Sequence, residues 1–257
     1  MKSHWTPLFY NNLTMVKGKI VVVWGNEGFV FDKDGTLIDF DATWGPTFHA
    51  LIAQLAEGDE ARMRRLCEAG GYDFDTRAFH PDSILVAGSN DDVVEAFADI
   101  LEHADPMALA AEINAGIGAL SLPHLSAFPE LEDALERLLG LGLVLGVATN
   151  DSEASARTQV EALGLGTSFA SILGFDSGHG AKPGPGMVTA FCAAHGLMPD
   201  EVVMVGDSLH DIHAGRAAGA RTLGVATGPR GAAAFGEDAD HVVGGLREAA
   251  EWIAARA

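Results

Sequence analysis

Residues 29–37, Phe29-Val30-Phe31-Asp32-Lys33-Asp34-Gly35-Thr36-Leu37, set three apolar residues against a polar turn that holds two carboxylates and a glycine. A short apolar run ending in such a turn predicts a buried strand with polar groups gathered at its carboxyl end. The same arrangement recurs along the chain. Residues 143–148 end in Thr149 and Asn150, residues 202–205 end in Gly206, Asp207 and Ser208, and the runs 171–173 and 222–225 are further strand candidates. Helical patterns fall between them at 130–139, 154–163, 186–195 and 211–218. In 130–139 leucines recur at 131, 135, 138 and 139, the spacing of one helix face. Strands alternating with helices predict an α/β fold, a doubly wound, Rossmann-like parallel sheet covered on both faces.

Residues 41–125 break this alternation, reading as helices at 43–55, 59–68, 91–102 and 106–120 with little strand pattern. The expected organisation is an N-terminal tail at 1–17, an α/β core built from 18–40 and 126–257, and an inserted all-helical cap at 41–125. Residues 20–24 are an additional strand candidate. GNEG separates them from Phe29, so they are expected to add an edge strand through a hairpin. Residues 1–14 read either as a leader or tag, with Met15 as the natural start, or as native chain.

The chain of 257 residues can bury a core of this size without disulfides. Its two cysteines, Cys67 and Cys192, lie far apart in Ala-rich helical stretches, which suits packing roles and a reducing cytoplasm. With 36 acidic against 16 basic side chains, the formal charge of −20 repels phosphate backbones, so nucleic acid is not an expected partner. No membrane segment is expected either. The longest uncharged apolar run, 138–148, contains three glycines and falls short of the roughly 20 residues that span a bilayer. The chain reads as a monomer or homodimer.

In open parallel sheets the ligand site lies beyond the carboxyl ends of the strands, and four polar clusters map there. Asp32 and Asp34 form a pair in which one carboxylate can act as nucleophile and the other as general acid and then base. The alternatives are a capped turn or a calcium loop, but a calcium loop calls for oxygen ligands where the chain has Val30 and for a Glu where it has Asp41. Thr149 and Asn150 offer a hydroxyl and backbone N–H groups to phosphoryl oxygens, or else cap a helix. Lys182, in GAKPGPG, is a cation among restrictive turn residues, or else an exposed loop lysine. Asp207 and Asp211 are two hard oxygen ligands a helical turn apart, suited to magnesium. A zinc site from Asp207, His210, Asp211 and His213 is the weaker option, because no cysteine is near and His213 lies beyond the turn.

Taken together, FVFDKDGTL, LGVATN, GAKPGPG and VVMVGDSLHD stand in the order of the four motifs of the haloacid dehalogenase superfamily. From about Val30 to the C-terminus, the helical insert apart, the chain resembles that superfamily's capped phosphatases, most closely the phosphoglycolate phosphatase-like ones. The resemblance implies a phosphoric monoester hydrolase in which Asp32 becomes an aspartyl phosphate and Asp34 protonates the leaving oxygen, then activates water. It implies that Thr149 and Lys182 hold the phosphoryl group, and Asn150 beside Thr149 is read with them as substrate-binding. Magnesium would be bound by Asp32, the backbone carbonyl of Asp34, and Asp207, with Asp211 supporting the metal shell or Lys182.

The core motifs are shared with phosphomutases, so that activity stays open. Asp34 argues against a dehalogenase, which has no leaving oxygen to protonate. The complete motif set argues against a catalytically silent binding protein. Between 41 and 125 only Arg62, Arg64, Arg65 and Arg77 are fixed cations, against 15 Asp and Glu. So acidic a segment disfavours substrates with several anionic groups and fits a small phosphorylated metabolite. Arg77 with His80 is the expected partner of a substrate carboxylate; alternatively these are surface groups, and backbone with Trp44 or Phe48 shapes the pocket.

Overall fold

The computed structural model describes residues 12–16, 19–23, 27–88, 90–228 and 231–256. Within them, β1 (Asn12–Val16) and β2 (Lys19–Val23) pair antiparallel as a small sheet of their own. The edge strand expected at 20–24 is therefore corrected. Its partner is β1, which falls within the expected tail, and not the strand at Phe29. Trp24 lies outside the described residues.

The main sheet comprises β3 (Gly28–Phe31), β4 (Val144–Ala148), β5 (Ser171–Leu173), β6 (Val202–Gly206), β7 (Arg221–Val225) and β8 (His241–Val243). Their order is β5-β4-β3-β6-β7-β8, with every neighbouring pair parallel. The strands at the centre are apolar throughout because both faces are covered. Phe29, Phe31, Val203 and Val205 pack on one side, and Val30, Val202 and Met204 on the other.

On the first side the cover is α6 (Leu131–Gly140), α7 (Glu153–Ala162) and α10 (Leu246–Ala254), through Leu135, Val160 and Ile253. On the second side α8 (Gly186–His195) contributes Met187, Val188 and Phe191. The helix α9 (Leu209–Ala218) follows β6 and packs on β6 and β7. Strand β8 was not expected, since it is only three residues long and opens on the exposed His241.

Between β3 and α6 run α1 (Phe40–Leu55), α2 (Glu60–Gly70), α3 (Ile84–Ala87), α4 (Asn90–Leu101) and α5 (Pro106–Ser121). They have a core of their own, in which Leu51, Ile52, Leu66, Phe97, Leu109 and Ile113 are buried together. Asp39 and Asp105 cap α1 and α5 by accepting from the first-turn amides of Ala42 and Ala108. The two connections to the sheet run side by side: Asp39 N donates to Ser126 O at 2.8 Å and Phe128 N to Leu37 O at 3.2 Å. No helix of the described residues is long and apolar enough to cross a membrane.

Candidate active site

The central position of β3 sends Asp32 out between β4 and β6. Its amide still donates to Val205 O at 2.7 Å, continuing the ladder by one residue. The chain then tightens, with Leu37 N and Ile38 N both donating to Lys33 O. Gly35, at φ +81°, lies so close to Asp207 that a Cβ would fall 2.3 Å from Asp207 Oδ2. Thr227, after β7, donates through its hydroxyl to Gly35 O and pins the same turn.

Lys182 is buried at 6% exposure, so it is no surface lysine. Its Nζ donates to Asp32 Oδ1 at 2.6 Å, to Asp211 Oδ1 at 2.6 Å and to Ala148 O at 2.9 Å. The loop that carries it, with a cis Lys182–Pro183 bond, is tied to the end of β4 by Asn150. Lys182 N donates to Asn150 Oδ1 at 2.8 Å, and Asn150 Nδ2 donates to Lys182 O at 3.0 Å. Both ends of the Asn150 amide are thereby engaged with the Lys182 backbone. Thr149 is buried and its Oγ1 accepts from Asp151 N at 3.1 Å. It does not cap α7, since Ser152 does so by accepting from Ser155 N.

Asp211 is fully buried. Its second oxygen accepts from Ser208 N at 3.0 Å and Ser208 Oγ at 2.6 Å. Asp32, Asp207 and Asp211 present carboxylate oxygens all within 4.8 Å of one another. Burial pushes Asp32 up to about 7, with Asp211 and Asp34 adding to the rise and Lys182 opposing it. Burial likewise lifts Asp207 to about 8, reinforced by Asp32 and Asp211. Burial alone would lower Lys182, yet Asp211 and Asp32 outweigh it and hold the ammonium above its ordinary value. One lysine among three clustered carboxylates leaves negative charge uncompensated, and hard oxygen donors in that state fit a small divalent cation.

Asp34 points elsewhere. Its Oδ1 accepts from Trp44 Nε1 at 2.6 Å and its Oδ2 lies 2.7 Å from Lys33 Nζ. Lys33 and Trp44 escaped the sequence reading as partners of Asp34. A lysine between two aspartates looks like a solvated turn residue, whereas here it is 1% exposed.

Arg77 and His80 sit exposed on the loop between α2 and α3. The loop folds back on itself, with Tyr72 bridged to Phe79, and Phe79 packs on Phe40 and Phe48 of α1. His80 also lines a cavity of about 230 Å³ with Cys67, Tyr72 and Phe74. Neither is brought to the Asp32 cluster by any hydrogen bond or ion pair among the described residues. His210 and His213 are exposed, and His213 Nε2 lies 3.7 Å from Asp238, so among the described residues no histidine joins the acidic cluster. Asp39 serves as the α1 cap, and Cys67 and Cys192 are buried free thiols.

A family model described as haloacid dehalogenase-like hydrolase matches residues 27–219. The phosphoglycolate phosphatase of Rhodospirillum rubrum is 32% identical over 194 residues, covering 74% of this chain and 75% of its own. That of Mesorhizobium japonicum is 33% identical over 199 residues, covering 76% and 81%. A crystal structure of a predicted phosphoglycolate phosphatase from Haemophilus somnus 129PT superposes with a TM-score of 0.65 at 20% identity, covering 88% of this chain and 97% of that one. At that identity the last likeness shows the fold alone.

Proposed function

The chain belongs to the haloacid dehalogenase-like hydrolase family and stands among its phosphatases, and from that premise we propose a magnesium-dependent phosphomonoesterase for a small phosphoglycolate-like metabolite. The observation that carries the proposal is the junction at the ends of β3, β4 and β6. There Lys182 bridges Asp32 and Asp211 while Asp207 closes the carboxylate cluster.

In this reading Asp32 attacks phosphorus and becomes an aspartyl phosphate, while the ester oxygen leaves with a proton from Asp34. Asp34 then takes a proton from water as the water attacks the acyl phosphate, which frees inorganic phosphate and restores Asp32. Lys182 and the Thr149 hydroxyl hold the phosphoryl oxygens, and Asn150 holds Lys182. Asp32, the carbonyl of Asp34, and Asp207 would hold magnesium, with Asp211 steadying Lys182. Bound magnesium supplies charge neutralisation for the phosphoryl group, the principal need of this chemistry. The helices between 40 and 121 act as a cap over the site, and Arg77 with His80 is the proposed partner of a substrate carboxylate.

The test is release of inorganic phosphate from 2-phosphoglycolate and from p-nitrophenyl phosphate, with and without magnesium, and without any sugar bisphosphate. Magnesium-dependent release from both supports the proposal. Absence of release from either, or activity only with a bisphosphate activator, refutes it.

A further inference from the structure

Asp34 lies where the sheet meets the helices, and both of its carboxylate oxygens are engaged. Trp44, one turn into α1, donates from Nε1 to Oδ1 at 2.6 Å, while Lys33 Nζ lies 2.7 Å from Oδ2. Trp44 is 5% exposed and Lys33 1%, so these bonds are shielded from competing water. Lys33 Nζ is also 3.1 Å from Asp151 Oδ2 and donates to Gln159 Oε1 at 2.5 Å. Gln159 Nε2 in turn donates to Ser121 Oγ at 2.7 Å, the last residue of α5. The Lys33 ammonium stands 5.2 Å from the centroid of the Trp44 ring. The first and last helices of the segment therefore both reach Asp34. Helix α1 does so directly, and α5 does so through Gln159 and Lys33.

A carboxyl group that gives and then recovers a proton has to present one particular oxygen to the leaving group. A free aspartate exchanges its two oxygens by rotation about its terminal bond. The indole N–H is a donor only, so its bond to Oδ1 persists whether or not Oδ2 carries a proton. Lys33 behaves differently, because a protonated Oδ2 accepts from an ammonium far more weakly than an ionised one. When Oδ2 is protonated, Lys33 still has Asp151 and Gln159. We infer that Trp44 is a positioning residue that fixes Asp34 Oδ1 and leaves Oδ2 as the oxygen that handles the proton, so that the seating of α1 sets the acid. The inference rests on the acid–base reading of Asp34 given above.

Trp44 also packs on Phe48, with ring centroids 5.8 Å apart, so the experiment must separate the bond from the packing. Trp44→Phe keeps an aromatic ring and removes the donor. The readout is kcat/KM across a series of aryl and alkyl phosphates, because kcat/KM ends at phosphoryl transfer to Asp32 and leaves out the later activation of water. An alkyl phosphate depends on the acid, whereas p-nitrophenolate leaves without it. The expected loss is roughly 10–100-fold for the alkyl ester, the effect of a misplaced acid, and under about threefold for the nitrophenyl ester. Placing benzothienylalanine at position 44, with sulfur in place of the N–H, should give the same selective loss in an isosteric ring. Equal losses on both esters, or wild-type behaviour of the sulfur analogue, overturn the inference. If the unaltered protein releases phosphate from neither ester, the acid–base reading itself falls, a result distinct from the other two.

Discussion

Gly35→Ala probes the carboxylate cluster proposed to hold magnesium through a single methyl group. At φ +81° an added Cβ would sit 2.3 Å from Asp207 Oδ2 and 2.6 Å from its Cγ, where ordinary contact begins at 3.4 Å. Asp207 must then retreat by about 1 Å, a displacement that costs roughly 100-fold where reacting groups have to be held in register. Gly58→Ala is the matched control, because Gly58 has φ +77° and nothing within 4 Å of its added Cβ. It isolates the cost of a left-handed backbone, about 1–2 kcal/mol. Urea unfolding of both variants, with magnesium titrations of phosphatase activity, separates the two effects. Gly58→Ala should lose only that stability and keep its activity. Gly35→Ala should lose at least as much stability, need more magnesium for half-maximal rate, and fall about 100-fold in kcat/KM. A Gly35→Ala protein with an unchanged magnesium requirement and kcat/KM within about threefold of the parent would refute Asp207 as a metal ligand.

Asp32→Asn should fold, because the Lys182 ammonium keeps Asp211 and Ala148 O, yet turn over at less than about a thousandth of the parent rate; a faster rate under matched conditions excludes a nucleophilic Asp32. Exhaustive chelation should abolish phosphate release, magnesium should restore it, and calcium, with its looser coordination, should not; full activity after chelation would remove the metal assignment. Arg77→Ala should raise KM for 2-phosphoglycolate and spare p-nitrophenyl phosphate, and an equal loss on both would sink the carboxylate role of Arg77.

The sheet was legible in the sequence because parallel strands buried on both faces are short, apolar and closed by polar turns. Thus 29–31, 143–148, 171–173, 202–205 and 222–225 all fall on observed strands. His241–Val243 was missed because three residues with one exposed end carry too little pattern. The 20–24 strand was recognised, but its pairing was misassigned. A GNEG spacing suits a hairpin forward to Phe29 as well as the observed pairing back to Asn12–Val16. Short-range spacing does not choose between partners on either side. Helix α3 has four residues and no periodicity to show.

At the site, the residue types were readable but their pairings were not. Gln159 is 126 positions from Lys33 and 38 from Ser121, and no local pattern announces such contacts. What the structure adds is a division of charge. Lys182 bridges Asp32 and Asp211, while Lys33 bridges Asp34 and Asp151, so the proposed nucleophile and the proposed acid each share a buried lysine with one further aspartate. Removing Lys182 would strand the buried Asp32 and Asp211, a loss of about 3–5 kcal/mol for a broken buried pair. Asp207 is the carboxylate left over. Among the described residues no lysine or arginine lies in ion-pair contact with it, and burial together with Asp32 and Asp211 lifts it to about 8. A chain carrying a formal charge of −20 binds a phosphate dianion more readily where nearby cations offset the local carboxylates. Two lysines against Asp32, Asp34, Asp151, Asp207 and Asp211 do not reach that balance. A divalent cation beside Asp207, as proposed above, would narrow that deficit.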